Sequence, residues 1–417
     1  MASFSFGTGN AAKLLRLPMY AVGRIGTALV PRGGTWVFGC GAGIGDGALA
    51  LQREAHAAGH RTLWLTRSPQ EEKDAKALGI RTCRRDGLRG WWATARAGVI
   101  VVTHGLGDVN RYGSSDGFVV QLWHGIPLKR IGLDSPVTAQ VPARLPGAQL
   151  LRRLLTVAYR SAAQRIRVLP AASHRSRGRL ESAFGLGDDR VVVTGEPRVD
   201  VLSAGTAQER RATASALLTR TGPLLSQQRV VLYAPTWRDG AADPAVPDAG
   251  QWVRIVRMLE RHDAILFIRS HPLGEGSYAP PWSSGRVRML SAELLADVTP
   301  ALPRMDVLVT DYSSMAYDVG LLAMPVVYLA PDVEAYARER GFYGRYEDVA
   351  GADYARDWDG AIDQLDAVLG DDVARADRAR RSAELSAHMH AHRDGRNAHR
   401  VYRAIRARGI PAPKGAR

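Results

Sequence analysis

Apolar residues come in short runs, separated by segments of helical period or by glycine-rich turns. The passage TWVFGCGAGIGDGALALQREAHAAGHRTLWLT (35–66) reads as strand, turn, helix and strand. AGVIVVT (97–103), GFVVQLW (117–123) and DDRVVVTGEPRVDVL (188–202) supply further strands. After a polar, helical stretch the alternation resumes in VVLYAPTWRD (230–239), AILFIRSHP (264–272) and MDVLVTDYSS (305–314). Strands alternating with helices in both halves predict an α/β protein built from two doubly wound domains. A chain of 417 residues is too long for one core and suits two. The boundary is expected near residue 203, giving domains over 34–203 and 204–385.

The helical segments carry much of the charge. ARLPGAQLLRRLLTVAYRSAAQRIRV (143–168) holds six arginines and no acid. Leu150, Leu151, Leu154, Leu155 and Val157 share a broad face there, with Arg152, Arg153 and Arg160 around it. This predicts a basic amphipathic helix over 143–168, which either packs on its own domain or rests on anionic lipid. The basic opening segment, 1–33, mixes leucines with Lys13, Arg16, Arg24 and Arg32 and is a second candidate for a membrane surface, although Pro18 breaks any single long helix. A last helix is expected within 386–410, and the tail PAPKGAR (411–417) is expected to be disordered.

Charge sharpens this picture. The formal net charge is +15; residues 1–165 hold 22 Lys/Arg against 9 Asp/Glu, a surplus of 13 that leaves 2 for the rest. A basic half suits an anionic partner, or else a solvated arginine-rich surface. Basic residues do not interleave with stacking aromatics, so nucleic acid is not the expected partner. The two cysteines, Cys40 and Cys83, cannot build a disulfide framework, which points to a reducing interior. With no secretory signal and no bilayer-length apolar run visible, a cytoplasmic location is expected.

In open parallel sheets ligands bind beyond the carboxyl ends of the strands. FVVQLW ends in His124-Gly125, and VVVT in Gly195-Glu196-Pro197-Arg198. In the second half the strand ends carry Thr236, Trp237, Arg238 and Asp239; Arg269, Ser270 and His271; and Thr310, Asp311, Tyr312, Ser313 and Ser314. Five polar, partly cationic strand ends facing one cleft make a site for something anionic. The helix expected from Met315 to Pro325 starts at Ser313/Ser314, either as plain N-caps or as a phosphate cradle, with Arg269 and His271 beside it favouring a diphosphate. The turn GCGAGIGDG lacks the G-x-G-x-x-G spacing, and no acid closes TLWLT, so a nicotinamide site is not expected. No His/Cys/carboxylate cluster has metal-ligand spacing, and Asp357-Trp358-Asp359 reads as surface.

At these residues the sequence resembles the CDP-glycerol glycerophosphotransferases, the teichoic acid primases and polymerases of bacterial envelopes. The resemblance rests on FGCGAGIGDGALAL, QLWHGIPLKRIG, VVVTGEPRVDVL, VLYAPTWRD, IRSHP, VTDYSSMAYDVGLLAMPVVYLAPD, RGFYGRYED and DGRNAHRV, in family order from about residue 36 to 401. The first block departs, with Asp46-Gly47 where the family usually has Asp-Asn. The resemblance implies a GT-B-like fold of two Rossmann-like domains facing a central cleft, with the 386–410 helix crossing back to the first. It implies transfer of an alditol phosphate, most simply glycerol phosphate, from a CDP-alditol to a hydroxyl of a membrane-linked polymer acceptor, with release of CMP. It also implies peripheral attachment to the inner face of the cell membrane, with no cofactor and no metal.

On that reading His124 would be the general base, and His271 a second catalytic residue at the donor. Gly125, Lys129, Arg238, Arg269, Thr310, Asp311, Ser313 and Ser314 would bind the diphosphate substrate. Asp318 would bind ribose or alditol hydroxyls, unless it serves only the helix dipole. Arg198 would fasten the domain edge. A CDP-ribitol transferase, a sugar-nucleotide glycosyltransferase and a non-enzymatic polymer-binding protein are the alternatives. Oligomeric state is left open by the sequence.

Overall fold

The computed structural model describes residues 17–138, 141, 147–238, 243–270 and 278–410. The chain separates into two units: Met1–Asp200 with Asp394–Arg417, and Val201–Arg393. The first holds a parallel sheet of β1 (Trp36–Phe38), β2 (Thr62–Thr66), β3 (Thr82–Arg84), β4 (Val99–Val102), β5 (Phe118–Gln121), β6 (Ile166–Ala171) and β7 (Val191–Val193). Their spatial order is β3-β2-β1-β4-β5-β6-β7. The second unit holds β8 (Arg229–Ala234), β9 (Ala264–Ile268), β10 (Val287–Met289), β11 (Val307–Thr310) and β12 (Val326–Tyr328), in the order β10-β9-β8-β11-β12. Every pairing among these strands is parallel. Both are Rossmann-like α/β sheets whose strand order reverses once, between β1 and β4 and between β8 and β11.

The strands are short, apolar and β-branched, and Val99–Val102 is buried throughout, as a sheet covered on both faces requires. On one face of the first sheet Trp36, Phe38, Trp64, Val99, Val101 and Val120 pack against Leu51 and Ala55 of the helix Asp46–Ala57 and against Val401 and Ile405 of the helix Asn397–Arg406. In the second, Val231, Tyr233, Leu266, Ile268 and Val309 pack against Trp252 and Ile255 of the helix Ala249–Arg261, and against Trp358 and Leu365 of Trp358–Gly370.

Two helix boundaries differ from the sequence reading. The basic helix expected over 143–168 runs from Ala148 to Ala163, because the buried Ile166–Ala171 segment pairs as β6 between β5 and β7. The helix expected within 386–410 is Asn397–Arg406; residues up to Met389 belong instead to the helix Asp372–Met389 of the second unit. Gly395, at φ +69°, lies in the break between them. In the opening segment a helix spans Leu17–Ala28, with Pro18 in its first turn, where a missing N–H costs nothing. Its Gly23 and Gly26 face Tyr112 and Trp91 of the same unit. The remainder of 1–16 and the tail 411–417 lie outside the described residues.

Asp200 fixes the start of the Asn397–Arg406 helix. Its two carboxylate oxygens accept from the backbone N–H of Asn397 (2.9 Å) and Ala398 (2.7 Å). Burial raises this carboxyl to about 6, against the pull of those two donors.

Candidate active site

β5 ends in backbone that few side chains accept. Trp123 has φ +63° and Gly125 φ +142°, so His124 sits between two left-handed residues. For a residue as bulky as tryptophan this conformation costs on the order of 1–2 kcal/mol. The local packing holds it: the Trp123 ring meets Phe184 edge-on at 5.1 Å, and Ile126 and Leu128 are buried just beyond. Arg179 donates to the Pro127 carbonyl at 2.6 Å, pinning the same segment.

The His124 imidazole is half-buried, with Trp123 at 4.2 Å and the ring of His104 parallel to it at 4.1 Å. Its Nδ1 lies 3.4 Å from the Thr103 carbonyl, which also accepts from Gln121 Nε2 at 2.8 Å. A carbonyl only accepts, so Nδ1 carries the proton and Nε2 keeps its lone pair. Burial, then His104 and Arg198, push this imidazole well below its ordinary 6.5, while the Thr103 carbonyl pulls the other way. The arrangement suits a neutral base, with Nδ1 oriented and Nε2 without a hydrogen-bond partner among the described residues. Arg198 itself is paired with the buried Glu196 at 2.7 Å. Gly125 is buried, and Lys129 is half-buried five residues past His124.

At the end of β11 the order is different. Thr310 donates to the Ala234 carbonyl of β8 at 2.7 Å. Asp311 is 3% exposed; its Oδ1 accepts from the N–H of Thr236 (2.9 Å) and of Tyr312 (2.6 Å). Arg238 bridges Asp311 (2.8 Å) and Asp332 (2.8 Å) and donates to the Thr236 carbonyl. Its guanidinium lies over the rings of Tyr312 and Tyr336, and the Tyr312 hydroxyl donates to Asp332 at 2.8 Å. Burial works against the charge on Arg238, but the Asp332 and Asp311 carboxylates more than offset it and raise its pKa. Ser313 accepts from the Met315 N–H at 3.2 Å, and Ser314 precedes the short helix Met315–Val319. Both serines are half-buried.

The cations expected at this site from the sequence have protein partners here. The charge of Arg238 is matched by two carboxylates. Arg269 donates to the backbone carbonyls of Leu290, Leu295 and Ala296, which ties the loop after β10 to the end of β9. Each ties its own strand end to other loops of the second unit. Asp318 is buried, 3.6 Å from His390 Nε2. His271, with Asp239 beside the other strand end, lies outside the described residues. Among the described residues no group of three His, Cys, Asp or Glu gathers to hold a metal ion. A cavity of about 530 Å³ lined by Gln228, Ile265, Trp282, Arg286 and Arg288 opens by the amino ends of β8, β9 and β10, the wrong edge for a doubly wound sheet.

Residues 40–407 match the model of the family described as CDP-Glycerol:Poly(glycerophosphate) glycerophosphotransferase. The chain belongs to that family. Among its relatives are the teichoic acid glycerol-phosphate transferase of Staphylococcus aureus (strain NCTC 8325 / PS 47), 30% identical over 55% of this chain and 56% of that protein. The teichoic acid poly(glycerol phosphate) polymerase of Staphylococcus epidermidis is 30% identical over 56% of this chain and 32% of that protein. The chain thus spans about half, or less, of the length of these curated relatives. The solved structure of the wall teichoic acid polymerase TagF superposes with a TM-score of 0.74 at 21% identity, covering 97% of this chain and 98% of that one. A likeness at that identity is one of fold, and the fold is the GT-B-like α/β class.

Within this family member, sequence reasoning passed over His104, Thr103 and Asp108. The signal was present: AGVIVVT also ends on a histidine, His104-Gly105, the same ending as FVVQLW. Asp332, Tyr336 and Tyr346 were missed for another reason. They stand 22 to 36 residues beyond the end of β11, and no local pattern ties them to it.

Proposed function

We propose that this glycerophosphotransferase family member transfers an alditol phosphate, glycerol phosphate in the simplest case, from a CDP-alditol to a hydroxyl of a lipid-linked polymer acceptor. His124 Nε2 takes the hydroxyl proton. The acceptor oxygen attacks the phosphorus bearing the alditol, a P–O bond forms, the bond to the CMP oxygen breaks, and CMP leaves. Positioning and charge neutralisation carry such a reaction, with little covalent work for the protein. The observation that carries the reading is His124: Nδ1 on a carbonyl, Nε2 without a hydrogen-bond partner among the described residues, pKa depressed, in a member of this family.

The donor belongs to the second unit in this reading. Ser313, Ser314 and the backbone start of Met315–Val319 take the diphosphate, with Lys129 and His271 as further cationic or catalytic contributors. Arg238, Asp311 and Arg269 shape that loop set from behind. The relatives' names include both glycerol-phosphate and ribitol-phosphate enzymes, and a TagF variant was soaked with CDPG. The acceptor is membrane-bound in this proposal, and the enzyme sits peripherally on the cytoplasmic face. No helix among the described residues is long and apolar enough to cross a membrane. Leu150, Leu154 and Val157 of the helix Ala148–Ala163 are 64%, 57% and 62% exposed, beside Arg152, Arg153 and Arg160, the composition of a helix that lies on anionic lipid.

The test is CMP release from purified protein given CDP-glycerol, CDP-ribitol or UDP-sugars, each with a lipid-linked acceptor. Release from a CDP-alditol, lost in His124→Ala, supports the proposal; consumption of UDP-sugars alone contradicts it. Sedimentation with anionic vesicles that weakens with salt supports the membrane contact. Equal sedimentation with neutral vesicles contradicts it.

A further inference from the structure

The glycine-rich turn after β1 has no part in the chemistry above, yet its shape is set by the site. A Cβ at Gly41 would lie 2.4 Å from Cγ and Nδ1 of His104, and one at Gly39 would lie 2.2 Å from the Asp108 carbonyl oxygen. Both positions are closed to side chains by the loop Thr103–Asp108, which leaves β4 at the point where the strand order reverses.

That loop is tightly bonded. Asp108 Oδ2 accepts from the backbone N–H of Thr103 at 2.9 Å and of His104 at 2.7 Å. The Thr103 hydroxyl accepts from the Gly41 N–H at 3.2 Å, and it lies 3.3 Å from Asp108 Oδ2 and 2.8 Å from His104 Nδ1. With the hydroxyl proton turned to the carboxylate, His104 Nδ1–H donates to the Thr103 oxygen. The ring so held lies on His124 with an interplanar angle of 1°. One residue, Thr103, therefore orients both histidines, His104 through its hydroxyl and His124 through its carbonyl.

We propose that His104 is a positioning residue for His124: the glycine turn and the Asp108–Thr103 pair hold its ring flat on the base, fixing the plane and tautomer of His124 and keeping water from that face. The inference rests on reading His124 as the base, and adds a residue that acts through it. Two stacked imidazoles cannot both be charged at this distance without mutual repulsion. The groups around them are consistent with neutrality. Burial first, with Arg67 adding to it, brings His104 to about 4, and Arg198 lowers His124. Asp108 is engaged by backbone N–H groups, and Cys40, beside Thr103, is held as a thiol by burial and by the Asp46 and Asp108 charges.

The experiment is an NMR titration of the full chain with labelled histidines, His124 being assigned by its loss in His124→Gln. In His104→Ala the His124 midpoint rises by about 1 pH unit as water enters, and its single Nδ1–H tautomer becomes a mixture. His104→Phe keeps a flat ring over His124 and leaves the midpoint near its original value. Gly41→Ala, which displaces the His104 ring, shifts it in the same direction as His104→Ala and serves if that variant does not fold. In CMP release, the acidic limb of kcat/KM moves up with the titration. A His124 midpoint and tautomer unchanged in both His104→Ala and Gly41→Ala overturn the inference. The titration needs no substrate, so the two readings fail separately. A shift without CMP release from any CDP-alditol sinks the proposed function alone, whereas CMP release without a shift sinks the positioning role alone.

Discussion

Trp123 and Gly125 bracket His124 with left-handed backbone, whereas Thr310 to Ser314 leave β11 without a positive φ and concentrate charge instead. Both strand ends lie at the carboxyl edge of their sheet, β11 at the reversal of strand order and β5 one strand beyond it. At the first, strain and aromatic stacking hold one neutral imidazole by its ring faces and its Nδ1. At the second, a guanidinium, two carboxylates and a tyrosine hydroxyl satisfy one another, and the serines and helix start are what remain for a ligand. A reactive group needs an unmet valence, and a rigid loop needs none. Charge at a strand end is therefore a poor guide to which of the two a residue serves.

The contrast is broken most directly at His124. His124→Ala is expected to lower the rate of CMP release by about 10²–10⁴-fold with little change in thermal stability. A rate near that of the parent enzyme means that the first strand end holds no base.

Arg238 reverses the pattern. Arg238→Met leaves Asp311 and Asp332 without their counter-charge and is expected to destabilise the second unit by about 3–5 kcal/mol, read from urea unfolding. Adding Asp311→Asn restores part of that loss. If Arg238 were instead a diphosphate ligand of little structural weight, KM for the donor would rise and the unfolding midpoint would stay in place.

Arg269→Lys is a milder version of the same question. Lysine keeps the charge but cannot reach three carbonyls in a fork, so about 2 kcal/mol of stability is lost. Donor affinity falling with stability untouched would return Arg269 to the binding site.

The smallest effect concerns Asp200, where the first unit uses the manner of the second: a buried acid satisfied by two N–H groups. Its carboxyl is raised in the folded chain, to about 6, so folding favours its protonated form. Its contribution to stability is full below the unfolded value near 3.9 and is lost as pH rises through about 6. Asp200→Asn removes one acceptor, costs about 1 kcal/mol, and flattens this part of the pH dependence. An unchanged stability–pH curve in Asp200→Asn contradicts that account.

Much of this was legible in the chain. Short β-branched runs alternating with helices give both sheets, and the same runs put His124 and Ser313/Ser314, which the proposed function uses, just past strand ends. Side-chain partners were not legible. Arg238 and Asp332 are 94 residues apart, and Arg269 reaches carbonyls 21 to 27 residues away. Residue type says cation, and only the fold says what meets it. The helix end at Ala163 was misplaced because Arg165 and Arg167 extend the basic pattern into β6, where Ile166 and Val168 face the core. His104 was legible by the rule that found His124, but its loop, VTHGLGD, looks like an ordinary turn until Gly41 is seen against the ring.

The central claim is that His124 works as a neutral base with Nε2 open, and the pH dependence of kcat/KM for CMP release tests it most directly. The account predicts a rate that holds level down through pH 6.5, falls with unit slope only well below that, and has no such limb in His124→Ala. A limb centred at or above pH 6.5, or one that persists in His124→Ala, would contradict it.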